Sequence, residues 1–226
     1  MATMCGRYNI TDSPYVQALM AKLGMDTPLP AQYNIAPTEQ VPVIYQHDQT
    51  LALMSARWWL VPGWSDGPNS RYAMFNARSE TLSKSPAFRG PFRRQRCLMP
   101  ASSFIEWHTH GGTKQPYEIS PVEDAFAFAG LWDCWQSDGQ TIYSCTMITT
   151  EAVPGFSHIH KRMPVGLIEA EWPLWLNPNS QPQALAPLLT PSLRQPWQIT
   201  PVDTAIGNSR NKLAPQATGS TQIIAS

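Results

Sequence analysis

The sequence predicts a strand-dominated α+β fold in one domain, and three observations carry that prediction. Apolar residues fall in short runs bounded by Gly, Pro, Asn and Asp, the pattern of strands and hairpins. Only one segment, 14–23, has a clear helical period. With 22 Pro and 9 Trp among 226 residues, the composition suits loops and sheet faces better than a helical bundle. That length fits a single domain, 1–226, large enough to bury a core without staples. At 42% hydrophobic and 14% charged, the chain is not a charge-driven disordered one. Sixteen basic residues balance sixteen acidic ones, so any anion binding must come from local patches.

The elements follow in order. Ser13 can cap a helix that Pro14 opens, with Val16, Leu19, Met20 and Leu23 at helical spacing before Gly24. Thr27-Pro28-Leu29-Pro30 breaks the chain, and Tyr33-Asn34-Ile35-Ala36-Pro37-Thr38 reads as a structured loop. Strands are predicted at 41–45 and 51–58 around His47-Asp48-Gln49. A hairpin of 104–108 with 116–120 crosses His110-Gly111-Gly112, which leaves His108 and His110 at the surface. Another pairs 126–135 with 141–148 over Ser137-Asp138-Gly139-Gln140. An Asp138-Gly139 turn sets Cys134 opposite Tyr143, away from Cys145, so no disulfide is expected there. Weaker helical signals lie at 169–176 and 182–189, and a late strand at 197–202. The small polar residues of 214–226 predict a frayed tail.

No apolar run reaches the roughly 18 residues of a membrane span, and no signal-peptide pattern opens the chain. A cytoplasmic location is expected, with thiols rather than disulfides. Cys97, Cys134 and Cys145 sit in apolar strand-like segments as small buried hydrophobes. Cys5 stands apart. One reading makes it an ordinary strand thiol. The other turns on Met4, because a start there followed by methionine removal leaves a 2-aminothiol. Its amine and thiol, with pKa values of about 8 and 8.5, are both partly active at neutral pH. Aldehydes are the natural target of such a pair, which closes on them as a thiazolidine.

Three other clusters carry chemistry. Five basic residues lie between 84 and 96, with no acid from 81 to 105; this run is either a solvated surface or a phosphate track. Trp58-Trp59-Leu60-Val61-Pro62-Gly63-Trp64 adds aromatics. Most belong to the core, while Trp64 at the Pro-Gly turn is placed to stack on a base. Phe104-Ile105-Glu106-Trp107 puts one carboxylate in an apolar strand. It pairs with an arginine such as Arg78, or it serves as an acid/base with a raised pKa. In Ser157-His158-Ile159-His160-Lys161-Arg162-Met163-Pro164 two imidazoles meet two cations without an accompanying metal motif, so no metal is expected.

Together these segments resemble the SOS-response-associated peptidase (SRAP) family, proteins that shield abasic sites in single-stranded DNA. The pieces fall in family order: Cys5-Gly6-Arg7-Tyr8, the 33–38 loop, Pro62-Gly63-Trp64, Asn76-Ala77-Arg78-Ser79-Glu80, Phe104-Ile105-Glu106-Trp107 and His160-Lys161-Arg162-Met163-Pro164. The resemblance implies a single strand-rich domain without cofactor, acting as a monomer on single-stranded DNA that contains abasic sites. It implies that Cys5 traps the abasic aldehyde as a thiazolidine crosslink, with Glu106 and His160 moving protons. It assigns Arg7, Asn76, Arg78 and Arg162 to backbone phosphates, Asn34 to a loop beside the nucleophile, and Trp64 to blocking duplex stacking. Nucleoid association when bound to DNA follows from the same resemblance.

In the family the cysteine directly follows the initiator methionine, whereas here Met1-Ala2-Thr3 precede Met4. The expectation is that residues 1–4 are absent from the mature protein. Either translation starts at Met4, the favoured route, or the leader is removed by the autoproteolysis that the family name implies. Two other function classes compete: a cysteine peptidase acting on proteins through Cys5 and His160, and a non-catalytic single-stranded DNA-binding module.

Overall fold

The computed structural model describes residues 5–123 and 126–225. The expected loss of residues 1–4 lies outside the described residues. Among the described residues fourteen strands form two sheets, with four short α-helices at their margins.

The first sheet has six strands, antiparallel throughout, in the order β14-β13-β8-β7-β1-β2. These are β1 (Tyr8–Ile10), β2 (Gln32–Ile35), β7 (Ser103–His110), β8 (Thr113–Pro121), β13 (Trp197–Pro201) and β14 (Gln222–Ile224). The second sheet contains β3 (Gln40–His47), β4 (Thr50–Trp58), β5 (Asn76–Arg78), β6 (Arg96–Ala101), β9 (Phe126–Ser137), β10 (Gln140–Glu151), β11 (Arg162–Pro164) and β12 (Gly166–Leu167). Within it β10-β4-β3-β6-β9 closes back onto β10, a barrel without a free edge. β10 is its hub. It runs parallel to β4 and β5 and antiparallel to β9 and β11.

Local chemistry explains the turns. Ser13 caps α1 (Pro14–Lys22) by accepting from the Val16 N–H at 3.3 Å. Asp138 and Gly139 both have positive φ, 48° and 77°, the geometry of a two-residue hairpin turn. Tyr143 therefore lies opposite Cys134, and the four cysteines are free thiols. Cys134 differs from expectation, because its strand face is only half-buried.

The core joins the sheets through aromatic edges. Tyr8 of β1 meets Trp58 of β4 and Phe128 of β9, with ring centroids at 5.1 and 5.6 Å. α1, α2 (Arg89–Arg94) and α3 (Trp172–Leu176) pack on β6, and α4 (Pro182–Leu185) leads into a 3₁₀ turn.

Three further segments carry features the sequence did not announce. In the segment expected to fray, β14 pairs with β13, and Ile224 packs onto Gly155, where an added Cβ would stand 2.7 Å from its Cγ2. Backbone pairing supplies what small polar residues do not advertise. Nor do all the basic residues of 84–96 face solvent. Arg96 is buried, donating to the carbonyls of Phe92 (2.6 Å), Arg93 (2.8 Å), Trp175 (2.6 Å) and Asn177. Four carbonyls with no carboxylate make it a clamp between α2 and α3, and burial lowers its pKa to about 10. The 33–38 loop also differs, since its first residues form β2 with Asn34 at φ 50°.

Candidate active site

Cys5 stands where β1 begins. Asn76 of β5 donates to its carbonyl at 2.9 Å, and the neighbouring Ile105 N–H holds the Arg7 carbonyl at 3.0 Å. Thus β5 and β7 fix the chain on either side of Gly6. The thiol is buried and points back toward the Arg7 carbonyl, 4.0 Å away. Burial, then the negative charge of Glu106, push its pKa well above that of an ordinary thiol. The resting sulfur is an S–H, so a base must take its proton.

Glu106 is that neighbour. Its side chain is buried, and Oε1 has no hydrogen-bond partner. Burial raises its pKa to about 8, although the backbone N–H groups of Trp107 and Cys5 face the carboxylate and oppose the rise. The expected partner Arg78 is exposed and does not touch it; Arg78 contributes instead to the field that lowers Glu80. Among the described residues, then, no arginine pairs with Glu106.

His160 Nδ1 lies 3.8 Å from Glu106 Oε1, close enough for charge to be felt and too far for a hydrogen bond. The same nitrogen is 3.0 Å from the Arg162 carbonyl and 3.1 Å from the Arg162 N–H. Protonated, Nδ1 donates to the carbonyl; unprotonated, it accepts from the amide. One backbone residue thus holds the imidazole in either state.

The other expected residues have definite places. Arg162 forms a fork on Glu80, with Nη1 at 2.6 Å from Oε1 and Nη2 at 3.1 Å from Oε2, and Nη2 also donates to the Thr149 carbonyl at 2.6 Å. Burial raises the Glu80 pKa, but the Arg162 hydrogen bond and the charges of Arg162 and Arg78 bring it below the usual value. Arg7 is half-buried, donates to the Gly6 carbonyl at 2.7 Å and leaves Nε without a partner. Asn34 is wholly buried, and its amide ties down the carbonyls of Asn208 and Asn211, each at 2.9 Å. Trp64 is 69% exposed, on the loop between β4 and β5.

The structure therefore brings together Cys5, Asn76, Glu106 and His160, with Arg162 adjoining them through its backbone. Sequence reading missed Glu80 and Thr149 as partners of Arg162, because that pairing depends on the 3₁₀ turn at Ser79–Thr81, β10 and β11 meeting. It also missed Lys212, which donates to the Asn34 carbonyl at 2.9 Å. Among the described residues no three His, Cys, Asp or Glu are grouped to hold a metal, and no helix is long and apolar enough to cross a membrane.

A buried cysteine beside a buried carboxyl and a histidine, on a strand-rich fold of one six-stranded sheet and one closed barrel, defines the class. The chain belongs to the SOS response associated peptidase (SRAP) family, whose model matches residues 4–209. It is 35% identical over 217 residues to abasic site processing protein YoqW of Bacillus subtilis, covering 92% of this chain and 96% of that one. It is 31% identical over 215 residues to abasic site processing protein HMCES of Xenopus tropicalis, covering 79% of this chain and 63% of that one. A crystal structure of a Bacteroides thetaiotaomicron protein superposes with a TM-score of 0.76 at 25% identity, over 87% of this chain and 92% of that one.

Proposed function

We propose that this protein processes abasic sites by binding single-stranded DNA and capturing the sugar aldehyde on Cys5. The observation that carries the reading is the placement of both Cys5 nucleophiles, sulfur and backbone nitrogen, at a buried Glu106 whose pKa lies near 8. The names of the relatives support abasic-site processing as the setting.

The chemistry needs a free α-amine on Cys5, and a start at Met4, where the family match begins, supplies one once hydrolysis removes that methionine. An abasic sugar is mostly a closed hemiacetal. Opening it takes a proton from the anomeric hydroxyl and gives one to the ring oxygen, work for Glu106 and His160. The amine then attacks the aldehyde carbon, and the carbinolamine loses one water to give an imine. The sulfur adds to the imine carbon as its proton passes to nitrogen, closing the thiazolidine. One water is released and nothing is oxidised. Arg7, Arg78 and Arg162 are the proposed phosphate contacts and Trp64 a base-stacking one.

An abasic oligonucleotide run on a denaturing gel, beside intact mass of the protein, tests this reading. A covalent shift is expected from protein that begins at Cys5 and is lost in Cys5→Ala. Crosslinking by a species that keeps Ala2-Thr3-Met4 would sink the mechanism, and binding without any shift would leave a non-covalent module. In single-turnover assays Glu106→Gln and His160→Gln should slow crosslinking by about 10²-fold or more while DNA binding persists.

A further inference from the structure

Beyond β13 the chain returns across the six-stranded sheet. Val202 and Ile206 pack with Ile105 and Trp107 of β7, and the residues that follow are strapped to Asn34 of β2. Asn34 makes a firm post for that strap. Its φ is 50°, its side chain is wholly buried, and Asn9 Oδ1 accepts from its N–H at 2.8 Å. Besides the Asn208 and Asn211 carbonyls held by its amide, its own carbonyl accepts from Lys212 Nζ at 2.9 Å.

The same ammonium reaches Glu39 Oε1 at 2.5 Å. Glu39 has little room to leave, because its backbone is pinned to the end of β4. The Thr38 N–H donates to the Trp58 carbonyl and the Trp58 N–H to the Glu39 carbonyl, both at 2.9 Å. The side chains of Lys212 and Glu39 are 45% and 37% exposed, and a pair so exposed adds little to stability. Where it stands matters more. Tyr8 lies opposite Ile35, which brings Arg7 to the end of β2 from which the chain runs on to Glu39. Burial lowers the Arg7 pKa, and the charge of Glu39 opposes that fall. Glu39 is thus the carboxylate whose field reaches Arg7, although among the described residues no ion pair joins them. A half-buried guanidinium is drawn to the nearest anion. Arg162 shows the result where nothing intervenes, a fork on Glu80. At Arg7, Lys212 intervenes.

We propose that Lys212 is a positioning residue for Arg7: tied to the Asn34 carbonyl, it occupies Glu39 and leaves the Arg7 guanidinium open to a backbone phosphate of the bound single strand. The inference rests on the DNA-binding reading above. It gives the strap the part of dividing charge between two acceptors, not of adding another phosphate contact.

Anisotropy with single-stranded DNA and denaturant midpoints of the full chain test it. Lys212→Met should weaken single-strand binding about two- to five-fold at low salt, and Glu39→Gln/Lys212→Met should recover the parent affinity. Damage to the strap would not be repaired by removing a charge at Glu39. If Lys212 itself met a phosphate, the double variant would stay as weak as the single one and the log–log salt slope would flatten by about 0.7. That result overturns the proposal, and so does parent-like binding by Lys212→Met. The second readout needs no DNA. Arg7→Gln should lower the denaturant midpoint further in Lys212→Met than in the parent, and no further in Glu39→Gln/Lys212→Met. Equal losses in all three backgrounds would mean that Glu39 never turns to Arg7, and the proposal fails. A parent that binds no single strand, with the extra midpoint loss still confined to Lys212→Met, would sink the DNA reading and leave the division of charge standing.

Discussion

Glu106 holds a proton at a cost that depends on pH. Its folded pKa of about 8 exceeds the ordinary carboxyl value, so between roughly pH 4.5 and 8 the native state binds more protons than the unfolded one. Stability therefore falls as pH rises through that window and is lowest above it. Glu106→Gln should be more stable than the parent at pH 9, by up to about 5 kcal/mol on the linkage arithmetic, with the gap closing toward pH 4.5. Denaturant midpoints across that range check it, and a gap that grows toward low pH would contradict the assigned direction. Arg162 carries a second expectation. Both Nη groups are engaged by Glu80 and Thr149, so a phosphate must compete with Glu80. Glu80→Gln should tighten single-strand binding about two- to five-fold, read by anisotropy at low salt. The titratable residues were legible as types in an apolar or basic context. Their partners were not, because Glu80 and Arg162 are 82 positions apart and meet only across β10.

At the scale of elements, the loop between β10 and β11 delivers His160, and Phe156 and Ile159 bury its underside. β14 braces it from outside through Ile224 on Gly155. Gly155→Ala should force Ile224 aside and cost about 1–3 kcal/mol, whereas Gly155→Ala/Ile224→Ala should recover much of that loss. Chemical denaturation of the two proteins measures the coupling, and additive losses would mean that the contact is slack. The elements themselves show why some were readable. The Ser13-Pro14 start and the Asp138-Gly139 turn are local chemistry, fixed by a cap or a positive φ within a few residues. β14 and β5 are three-residue strands whose identity comes wholly from the neighbour they pair with, so no local pattern announces them.

For the whole molecule, balanced charge limits DNA affinity to local contacts. With about three to five phosphates neutralised, the log–log salt slope on single strands should lie near −2 to −3.5. A much steeper slope would mean a surface wider than Arg7, Arg78, Arg162 and the 84–96 segment. The fold class was readable because alternating short runs leave few architectures open, while the barrel's closure was not, since it depends on one parallel pairing. Ser144 and Cys145 of β10 lie beside Arg57 and Trp58 of β4, from the opposite half of the barrel sequence. Contacts so distant in sequence carry a loop-closure cost and slow folding. β5, which carries Asn76, and β11, which begins at Arg162, both hang on the strand that makes this closure. The cluster of Cys5, Asn76, Glu106 and His160 is therefore complete only once β10 has taken its place between β5 and β11. A nascent chain carries Cys5 from its first residues, with the ordinary exposure of an unfolded thiol, and folding is what walls it in.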